Sequence, residues 1–173
     1  MKNIILIGMP GSGKSTLGVL LAKIAGFSFL DSDLLIQSKV GKKLYRILEE
    51  DGADYFKSVE NDVNSQIDVT DTVIATGGSV VYGRKAMKHL HENGTVVYIR
   101  LPYAEIERRL SNLATRGVTL REGQTLYDLY QERIPLYETE ADIVFDAAGM
   151  EIEKTVAAIA RRIEVLGGGS YGG

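Results

Sequence analysis

The sequence contains no cysteine and only two histidines, His89 and His91. Without cysteine the chain has neither a disulfide nor a thiolate-bound metal. Both histidines fall in a polar stretch, Met87 to Glu92, which is typical of the solvated end of a helix; a metal site there is the less favoured alternative. We therefore expect no metal centre built on imidazole or thiolate ligands.

Long apolar runs and a large excess of one charge are missing as well. No segment reaches the roughly 20 apolar residues that a membrane-spanning helix needs, and the N-terminal residues have the pattern of a core strand rather than of a signal peptide. The formal net charge of −3 provides no general attraction for nucleic acid or an anionic membrane. We expect a monomeric, cytoplasmic protein with neither of these partners.

What is present is the composition of an ordinary globular protein, with 45% hydrophobic and 25% charged residues among 173. That balance fits one α/β domain, which we place at residues 1–166. Residues 167–173 are mostly glycine and are expected to form a flexible tail.

The most informative motif is Gly-Met-Pro-Gly-Ser-Gly-Lys-Ser at 8–15, which has the spacing of a phosphate-binding P-loop. Its glycines let successive backbone N–H groups turn toward phosphate oxygens, Lys14 carries a cation to the terminal phosphates, and the Ser15 hydroxyl can ligate Mg²⁺. A β-branched apolar run at 3–7 precedes the motif, and leucines at helical spacing follow it. The alternative is a glycine turn that only links strand to helix; the order and context favour the nucleotide site.

Short apolar runs that alternate with helical periodicities predict an α/β fold with a parallel sheet covered on both faces. The strands are predicted at 3–7, 27–30, 72–75, 95–100 and 142–145. Helices are predicted at 14–25, 34–40, 44–50, 53–67, 84–92 and 102–110, from about 125 to the Pro135 region, and along 152–163. Residues 111–124 lack periodicity and are interpreted as a mobile loop. In such a fold, ligands bind at the carboxyl ends of the strands.

Two carboxylates follow the second predicted strand, at Asp31 and Asp33. On an extended chain this alternate spacing sends both side chains to one side, with Ser32 on the other. One carboxylate can then hold Mg²⁺ through water, while the other orients or deprotonates a substrate hydroxyl. A helix N-cap with an acidic first turn, in which Asp33 could also serve, is an equally good interpretation of the spacing.

Three further positions are candidates with open alternatives. Gly77 and Gly78 after the third strand would let a backbone N–H approach a small ligand closely, or form an ordinary tight turn. Arg116 in the loop could fold over a transferring phosphoryl group, although a single loop arginine is more often solvated. Arg133 precedes Ile134-Pro135 near a predicted helix end, where a cation is also expected for the helix dipole.

Taken together, five motifs in order resemble the shikimate kinase family, within the nucleoside-monophosphate-kinase-like branch of P-loop proteins. They are the P-loop at 8–16, Asp-Ser-Asp at 31–33, Phe56 to Glu60 where the family has Phe-Arg-x-x-Glu, Thr-Gly-Gly at 76–78, and Arg-Ile-Pro-Leu-Tyr at 133–137. The resemblance runs from about residue 3 to 165. It implies a five-stranded parallel sheet of order 2-3-1-4-5 flanked by helices, a substrate-binding helical region at about 32–68, and a lid at about 111–124.

The resemblance also implies a role for each matching residue. Binding of ATP is assigned to Gly11, Ser12, Gly13, Lys14, Ser15, Thr16 and Arg109, with Arg109 beside the adenine. Mg²⁺ is assigned to Ser15 and Asp31. The acid substrate is assigned to Asp33, Lys57, Gly77, Gly78 and Arg133. The catalytic residues are Lys14, Asp33 and Arg116, with Arg116 at the transferred phosphate.

The sequence departs from the family pattern at three places on the acceptor side. Lys57 stands where the family has an arginine, and lysine cannot present a planar two-pronged donor to a carboxylate. One lost charge-assisted hydrogen bond costs about 1.5–3 kcal/mol if nothing compensates. Thr76 replaces the first of three glycines, and the lid has Gly117-Val118-Thr119 in place of Pro-Leu-Leu after Arg116.

The leading functional hypothesis is a kinase that transfers phosphate from ATP to a hydroxyl of a small hydroxylated acid, with shikimate as the first candidate and shikimate 3-phosphate as its product. A kinase for another small hydroxylated acceptor is the second hypothesis, because the three departures all concern the acceptor. A regulatory nucleotide-binding module that acts on a partner protein is the third and least favoured.

Overall fold

The apolar runs predicted as strands form one parallel sheet at the centre of the molecule. A computed structural model, which describes residues 2–112 and 118–167, places five strands in the order β2–β3–β1–β4–β5. These strands are β1 Asn3–Ile7, β2 Ser28–Asp31, β3 Thr72–Ala75, β4 Gly94–Arg100 and β5 Ile143–Asp146. Since β1 is buried along its whole length, it has the continuous apolar sequence of a central parallel strand. The predicted fold and strand order are confirmed.

Helices connect the strands and cover both faces of the sheet. They are α1 Lys14–Ala25, α2 Ser32–Val40, α3 Leu44–Asn64, α4 Arg84–Asn93, α5 Tyr103–Asn112, α6 Leu126–Glu140 and α7 Ile152–Gly167. A 3-10 turn at Val80–Tyr82 follows β3. The two helices predicted at 44–50 and 53–67 follow each other within α3 and are separated at Gly52, whose backbone (φ 86°, ψ 166°) is not helical; the second ends at Asn64. None of the helices in the described ranges is both long enough and apolar enough to cross a bilayer.

The helix predicted to end near Pro135 is longer than expected, because α6 continues through this proline to Glu140. A proline inside a helix removes one backbone hydrogen bond and costs about 3 kcal/mol. The residues on either side offset that cost by tertiary contacts, since Arg133 and Tyr137 are both completely or almost completely buried. Arg133 therefore lies inside a helix against the core, and its proposed alternative role as a cation at a helix end is wrong.

The two histidine rings, predicted to be solvated, are partly buried, and each has a polar partner. His89 Nε2 lies 2.7 Å from the carbonyl oxygen of Ile67, and His91 Nε2 lies 2.9 Å from Glu140 Oε2. Both rings are half-buried, because the turn after α3 brings the Ile67 carbonyl oxygen to His89, while the C-terminal end of α6 brings Glu140 to His91.

Sheet register brings the ends of three strands into line. Asp31 at the end of β2 pairs with Ala75 on β3, and Ala75 pairs in turn with Leu6 on β1. The next residues along each chain therefore emerge at the same edge of the sheet. They comprise the P-loop, the start of α2 and the turn at Gly77 and Gly78, so the predicted site residues from three separate segments meet there.

Candidate active site

The P-loop leaves β1 in a conformation that only glycine adopts easily at several positions. Gly8, Gly11 and Gly13 have φ values of 147°, 77° and 88°. Gly13 is the N-cap of α1, and no side chain accepts a hydrogen bond from the helix N-terminus there. The first amides of α1 are therefore available to an anion, and the helix dipole favours negative charge at the same point.

Lys14 lies across the mouth of this loop. Its Nζ donates hydrogen bonds of 2.8 Å to the carbonyl oxygens of both Gly8 and Met9, and one of 3.3 Å to Ser12 Oγ. The side chain is buried, and burial lowers the pKa of Lys14 to about 8 even though the nearby Asp33 acts in the opposite direction. At neutral pH the ammonium is still charged, so a cation is held beside the loop amides.

The two carboxylate oxygens of Asp31 accept hydrogen bonds from different partners. Oδ1 accepts hydrogen bonds from the backbone N–H groups of Asp33 (2.9 Å) and Leu34 (3.3 Å), which makes Asp31 the N-cap of α2. Oδ2 accepts a hydrogen bond of 2.8 Å from Ser15 Oγ. Asp31 is therefore the helix cap, and its second carboxylate oxygen is paired with the Ser15 hydroxyl of the P-loop.

Asp33 lies in the first turn of α2 instead of on an extended chain, because the helix already begins at Ser32. The predicted alternation of side chains across 31–33 is therefore wrong in its geometry, and Asp33 is not the cap. Asp33 Oδ1 is buried and has no hydrogen-bond partner among the described residues. Burial, with a further contribution from the charge of Asp31, raises the pKa of Asp33 to about 6.

Glu60 on α3 is a buried carboxylate to which the sequence analysis assigned no role. Its Oε1 accepts a hydrogen bond of 2.5 Å from Ser79 Oγ, while its Oε2 has no partner within the described residues. Burial raises the pKa of Glu60 to about 7 against the opposing effect of the Ser79 hydrogen bond. Its position three residues after Lys57, on the same face of a helix, was the available signal.

Gly77 and Gly78 have no room for a side chain. A Cβ at Gly77 would lie 2.6 Å from Glu60 Oε2 and 2.7 Å from Asp33 Oδ1. A Cβ at Gly78 would lie 2.7 Å from Pro10 Cδ and 2.9 Å from Arg133 Nη1. Because these two residues have no side chains, the P-loop, two carboxylates and a guanidinium can approach the backbone of the turn closely. An ordinary tight turn would not need glycine for this reason.

The preceding residue, Thr76, faces another part of the structure. Its Oγ1 donates a hydrogen bond of 2.8 Å to the carbonyl oxygen of Leu6 on β1, and the residue is buried. This hydrogen bond ties the turn to the sheet. Thr76 was predicted to be an acceptor-side change, but its hydroxyl faces β1 instead.

Arg133 and Lys57 meet at the ring of Tyr82. Arg133 is 1% exposed and donates a hydrogen bond of 2.8 Å from Nη2 to Thr119 Oγ1. Its Cζ lies 5.5 Å from the centroid of the Tyr82 ring, and Lys57 Nζ lies 4.4 Å from the same centroid. The structure thus brings together the two cations predicted for substrate binding, through a tyrosine that the sequence analysis did not single out.

Arg109 lies on the other side of the P-loop. Its Nη1 donates a hydrogen bond of 3.2 Å to the carbonyl oxygen of Gly11, and its Nη2 lies 3.4 Å from Glu105 Oε2. Beside it is a cavity of about 200 Å³. The lining includes Ser12, Gly13 and Thr16 from the P-loop side and Leu101, Met150 and Ile152 from the apolar side. A flat, partly apolar group attached to a phosphate chain would fit this cavity.

The predicted lid is described only in part. Arg116 lies outside the described residues, as do residues 168–173 of the predicted tail. The described lid residues contact the acceptor side at Thr119 and through Arg121, which forms an ion pair with Glu132 on α6.

The sheet order, the P-loop between β1 and α1, and a second cluster of charged side chains in contact with that loop define a P-loop kinase that acts on a small molecule. The model of the family described as shikimate kinase matches residues 10–164. The chain belongs to the shikimate kinase family, as its motifs indicated.

Individual relatives match over nearly the whole chain. A shikimate kinase of Thermodesulfovibrio yellowstonii is 35% identical over 172 residues, which cover 98% of this chain and 99% of that protein. A shikimate kinase of Nostoc punctiforme is 38% identical over 168 residues, which cover 95% of this chain and 90% of that protein. Among solved structures, shikimate kinase from Acinetobacter baumannii in complex with shikimate has a TM-score of 0.88 at 30% identity, with 96% of this chain and 94% of that chain covered.

Proposed function

We propose that this protein transfers the terminal phosphoryl group of ATP to a hydroxyl of shikimate, giving shikimate 3-phosphate, a step of aromatic amino acid biosynthesis. The observation that carries the proposal is the close approach at Gly78, where a Cβ would lie 2.7 Å from Pro10 Cδ of the P-loop and 2.9 Å from Nη1 of Arg133. A nucleotide site and an anion-binding site thus share one wall. A phosphoryl donor and a small acid bound in them would lie next to each other.

The nucleotide side of the proposal rests on the P-loop. The N–H groups of Gly11 and Gly13 and of the first residues of α1, together with the ammonium of Lys14, would hold the phosphates, because they combine loop and helix-terminal N–H groups with a fixed positive charge. The Ser12 N–H already donates to the carbonyl oxygen of Met9. Thr16 and Arg109 line the adjoining cavity. Its apolar wall suits the adenine base, with the Arg109 guanidinium against the ring.

Mg²⁺ fits the oxygen pair formed by Ser15 and Asp31. Hard cations prefer hydroxyl and carboxylate oxygens, and Ser15 Oγ and Asp31 Oδ2 lie 2.8 Å apart beside the phosphate loop. Within residues 2–112 and 118–167 no group of three or more His, Asp or Glu side chains could hold a metal alone, so the remaining ligands would be phosphate oxygens and water. A cation held there would supply positive charge to the phosphates.

On the acceptor side, Arg133 and Lys57 would bind the carboxylate, because both cations are held at one tyrosine ring. The backbone at Gly77 and Gly78 would lie against the acceptor, since neither residue has a side chain to keep it away. Asp33, whose buried Oδ1 lacks a partner in the described structure, would accept a hydrogen bond from the reacting hydroxyl.

In the reaction, the acceptor oxygen forms a bond to the terminal phosphorus while the bond from that phosphorus to the ADP oxygen breaks. The proton of the hydroxyl passes to Asp33. A pKa of about 6 keeps this carboxylate ionised at neutral pH and close to the operating pH, as a general base requires. Lys14 and, as a prediction from the family motif, Arg116 would stabilise the negative charge on the transferred group.

The direct test is to measure ADP formation with ATP, Mg²⁺ and shikimate, and to identify the phosphorylated product by mass. We expect ADP release that depends on shikimate and is abolished by Asp33→Asn, whereas Asp62→Asn on the exposed surface of α3 serves as the matched control. Binding of ATP without shikimate-dependent turnover would show that the acceptor assignment is wrong.

A different small hydroxylated acid is the second candidate acceptor, and Lys57 is the observation that favours it. Replacing Lys57 by the arginine of the family pattern separates the two. In a shikimate enzyme built around lysine the change has little effect or is harmful, because the contact with Tyr82 is lost or altered. A large gain in shikimate turnover, together with faster turnover of another hydroxy acid by the unmodified protein in a substrate panel, would favour the second candidate.

A further inference from the structure

Tyr82 occupies the junction between the two cations of the acceptor side. It ends the 3-10 turn that follows β3 and is half-buried. Lys57 reaches the ring from α3, at 4.4 Å from Nζ to the centroid, and Arg133 reaches it from α6, at 5.5 Å from Cζ to the centroid. Three separate elements therefore converge on one aromatic ring.

The ring can hold both charged groups because its face is electrostatically negative. A cation within about 6 Å of a ring centroid is attracted to the ring, and the attraction is stronger where water is excluded. This matters most for Lys57, whose ammonium sits on a flexible four-carbon stem and has no planar fork to fix its direction. The ring also lets two like charges lie near each other with part of their repulsion offset.

The ring is itself held in place from its far end. The Tyr82 hydroxyl donates a hydrogen bond of 2.6 Å to Glu132 Oε1. The other oxygen of Glu132 accepts a hydrogen bond of 2.9 Å from Gln124 Nε2 and also contacts Arg121. The Tyr82 hydrogen bond is the largest cause of the lowered pKa of Glu132, so this carboxylate stays ionised and continues to accept. Tyr82 is thus fixed by α6 and by the described part of the lid.

We infer that Tyr82 is a specificity-determining, positioning residue, which places the ammonium of Lys57 and the guanidinium of Arg133 as a pair for the carboxylate of the acceptor. The inference rests on the proposed function and adds to it a residue outside the motifs that define the family resemblance. It explains how lysine can stand at position 57, because the ring supplies the orientation that an arginine fork would otherwise provide. The ligand class it selects is a small hydroxylated acid in its anionic form.

The test varies the electrostatics of the ring among variants that all lack the hydroxyl bond to Glu132, so that Tyr82→Phe is the reference of the series. The series places Phe, 4-fluorophenylalanine and 3,4,5-trifluorophenylalanine at position 82, since each added fluorine weakens the negative face. We expect the KM for shikimate to stay within about threefold of the unmodified value for Tyr82→Phe, and to rise stepwise with fluorination. Tyr82→Leu, which removes the ring, should raise it about 5- to 30-fold. A residue that only fills space would give no trend across the fluorinated series.

Three matched measurements separate this role from a structural one. The KM for ATP should stay unchanged in every variant, because the nucleotide cavity is lined by other residues. The methyl ester of shikimate, which has no carboxylate charge, should show no dependence on the series. In a Lys57→Met background, the added effect of Tyr82→Leu should shrink at least threefold, since one of its two cations is gone.

A flat series with shikimate, in an enzyme that turns shikimate over normally, would overturn the inference and leave the proposed function intact. Parallel changes for shikimate and its methyl ester would also overturn it, because the ring would then act on packing alone. Absence of shikimate turnover in the unmodified protein, with ATP still bound, would remove the proposed function and this inference with it. If Tyr82→Leu fails to fold, as judged by thermal unfolding, the fluorinated series alone decides.

Discussion

Arg133 donates a hydrogen bond of 2.8 Å to the hydroxyl of Thr119, and both residues are buried. This contact joins α6, which carries the proposed carboxylate-binding guanidinium, to the described part of the lid. The family pattern has leucine at the lid position that Thr119 occupies, and a leucine side chain could not accept this hydrogen bond. The lid of this protein therefore has a polar contact with the acceptor site.

Removing the Thr119 hydroxyl should destabilise the protein and strengthen its response to the acceptor. Thr119→Val leaves Arg133 Nη2 without this acceptor, and a hydrogen bond to a charged group contributes about 1.5–3 kcal/mol. We expect a lower free energy of unfolding and a larger increase in melting temperature on adding saturating shikimate, because the carboxylate replaces the missing acceptor. Thr119→Ser, which keeps the hydroxyl, should behave like the unmodified protein. Equal shikimate-induced shifts in all three proteins would contradict the prediction.

The pH dependence of activity should show two limbs. Asp33, with a pKa of about 6, must be ionised to accept a proton, so kcat/KM for shikimate should fall about tenfold per pH unit well below pH 6. Lys14, with a pKa of about 8, loses its charge above that value, so kcat/KM for ATP should fall there. The control is Glu60→Gln, in which the acidic limb should persist. A limb that disappears in this variant would assign the base to Glu60.

Glu60 should make the stability of the fold depend on pH. Its pKa is about 7 in the folded protein, against an ordinary value of 4.5. Between these values the unfolded chain releases a proton that the folded protein retains, so this residue lowers stability progressively as pH rises from about 4.5 to 7. The side chain of Glu60→Gln cannot ionise. The free energy of unfolding of this variant, relative to that of the unmodified protein, should therefore be about 1–3 kcal/mol higher at pH 8 than at pH 5.

Denaturant unfolding at the two pH values measures this effect. The matched control is Asp62→Asn, an exposed acid on the same helix, which should show no such gain. If Glu60→Gln shifts stability equally at pH 5 and pH 8, the carboxylate is not the source of the pH dependence.

A methyl group at Gly77 should impair acceptor binding more than it impairs folding. Its Cβ would lie 2.6 Å from Glu60 Oε2 and 2.7 Å from Asp33 Oδ1, closer than real contacts allow, so the two carboxylates must move. We expect Gly77→Ala to lower kcat/KM for shikimate at least tenfold, since a misplaced catalytic group is costly, while the KM for ATP stays within about threefold. The control, Gly41→Ala, has open space around its Cβ but a left-handed φ of 74°. It should lose about 1 kcal/mol of stability and no activity at saturating substrates.

Much of the nucleotide side could be predicted from the sequence because its determinants are local. The run at 3–7, the glycines of the P-loop and the helix that begins at Lys14 are consecutive, and each has a pattern that favours only one structure. The sheet order followed from the family resemblance, since strand periodicity alone does not specify which strands are neighbours.

The acceptor side was harder to predict because its contacts are made between distant segments. Glu60 is paired with Ser79, and Tyr82 with Lys57 and Arg133, across two or three elements. The passage of α6 through Pro135 is decided by burial of the residues beside it, which local propensity cannot show. Asp31 caps α2 because β2 is followed directly by the helix at Ser32. The spacing of the two aspartates had indicated an extended segment at 31–33 instead.

The close approach of Pro10 and Arg133 at Gly78 also has a chemical consequence for inhibition. A compound that carries a phosphate-mimicking group for the P-loop and an anionic ring for the cationic pair would need only a short linker to cross Gly78. Such a bisubstrate compound would gain affinity from both of its halves in one binding event. Its linker would lie along the line of phosphoryl transfer. Because Lys57 rests on Tyr82 in this protein, its acid-binding half could be tuned to prefer this enzyme over relatives that use arginine at that position.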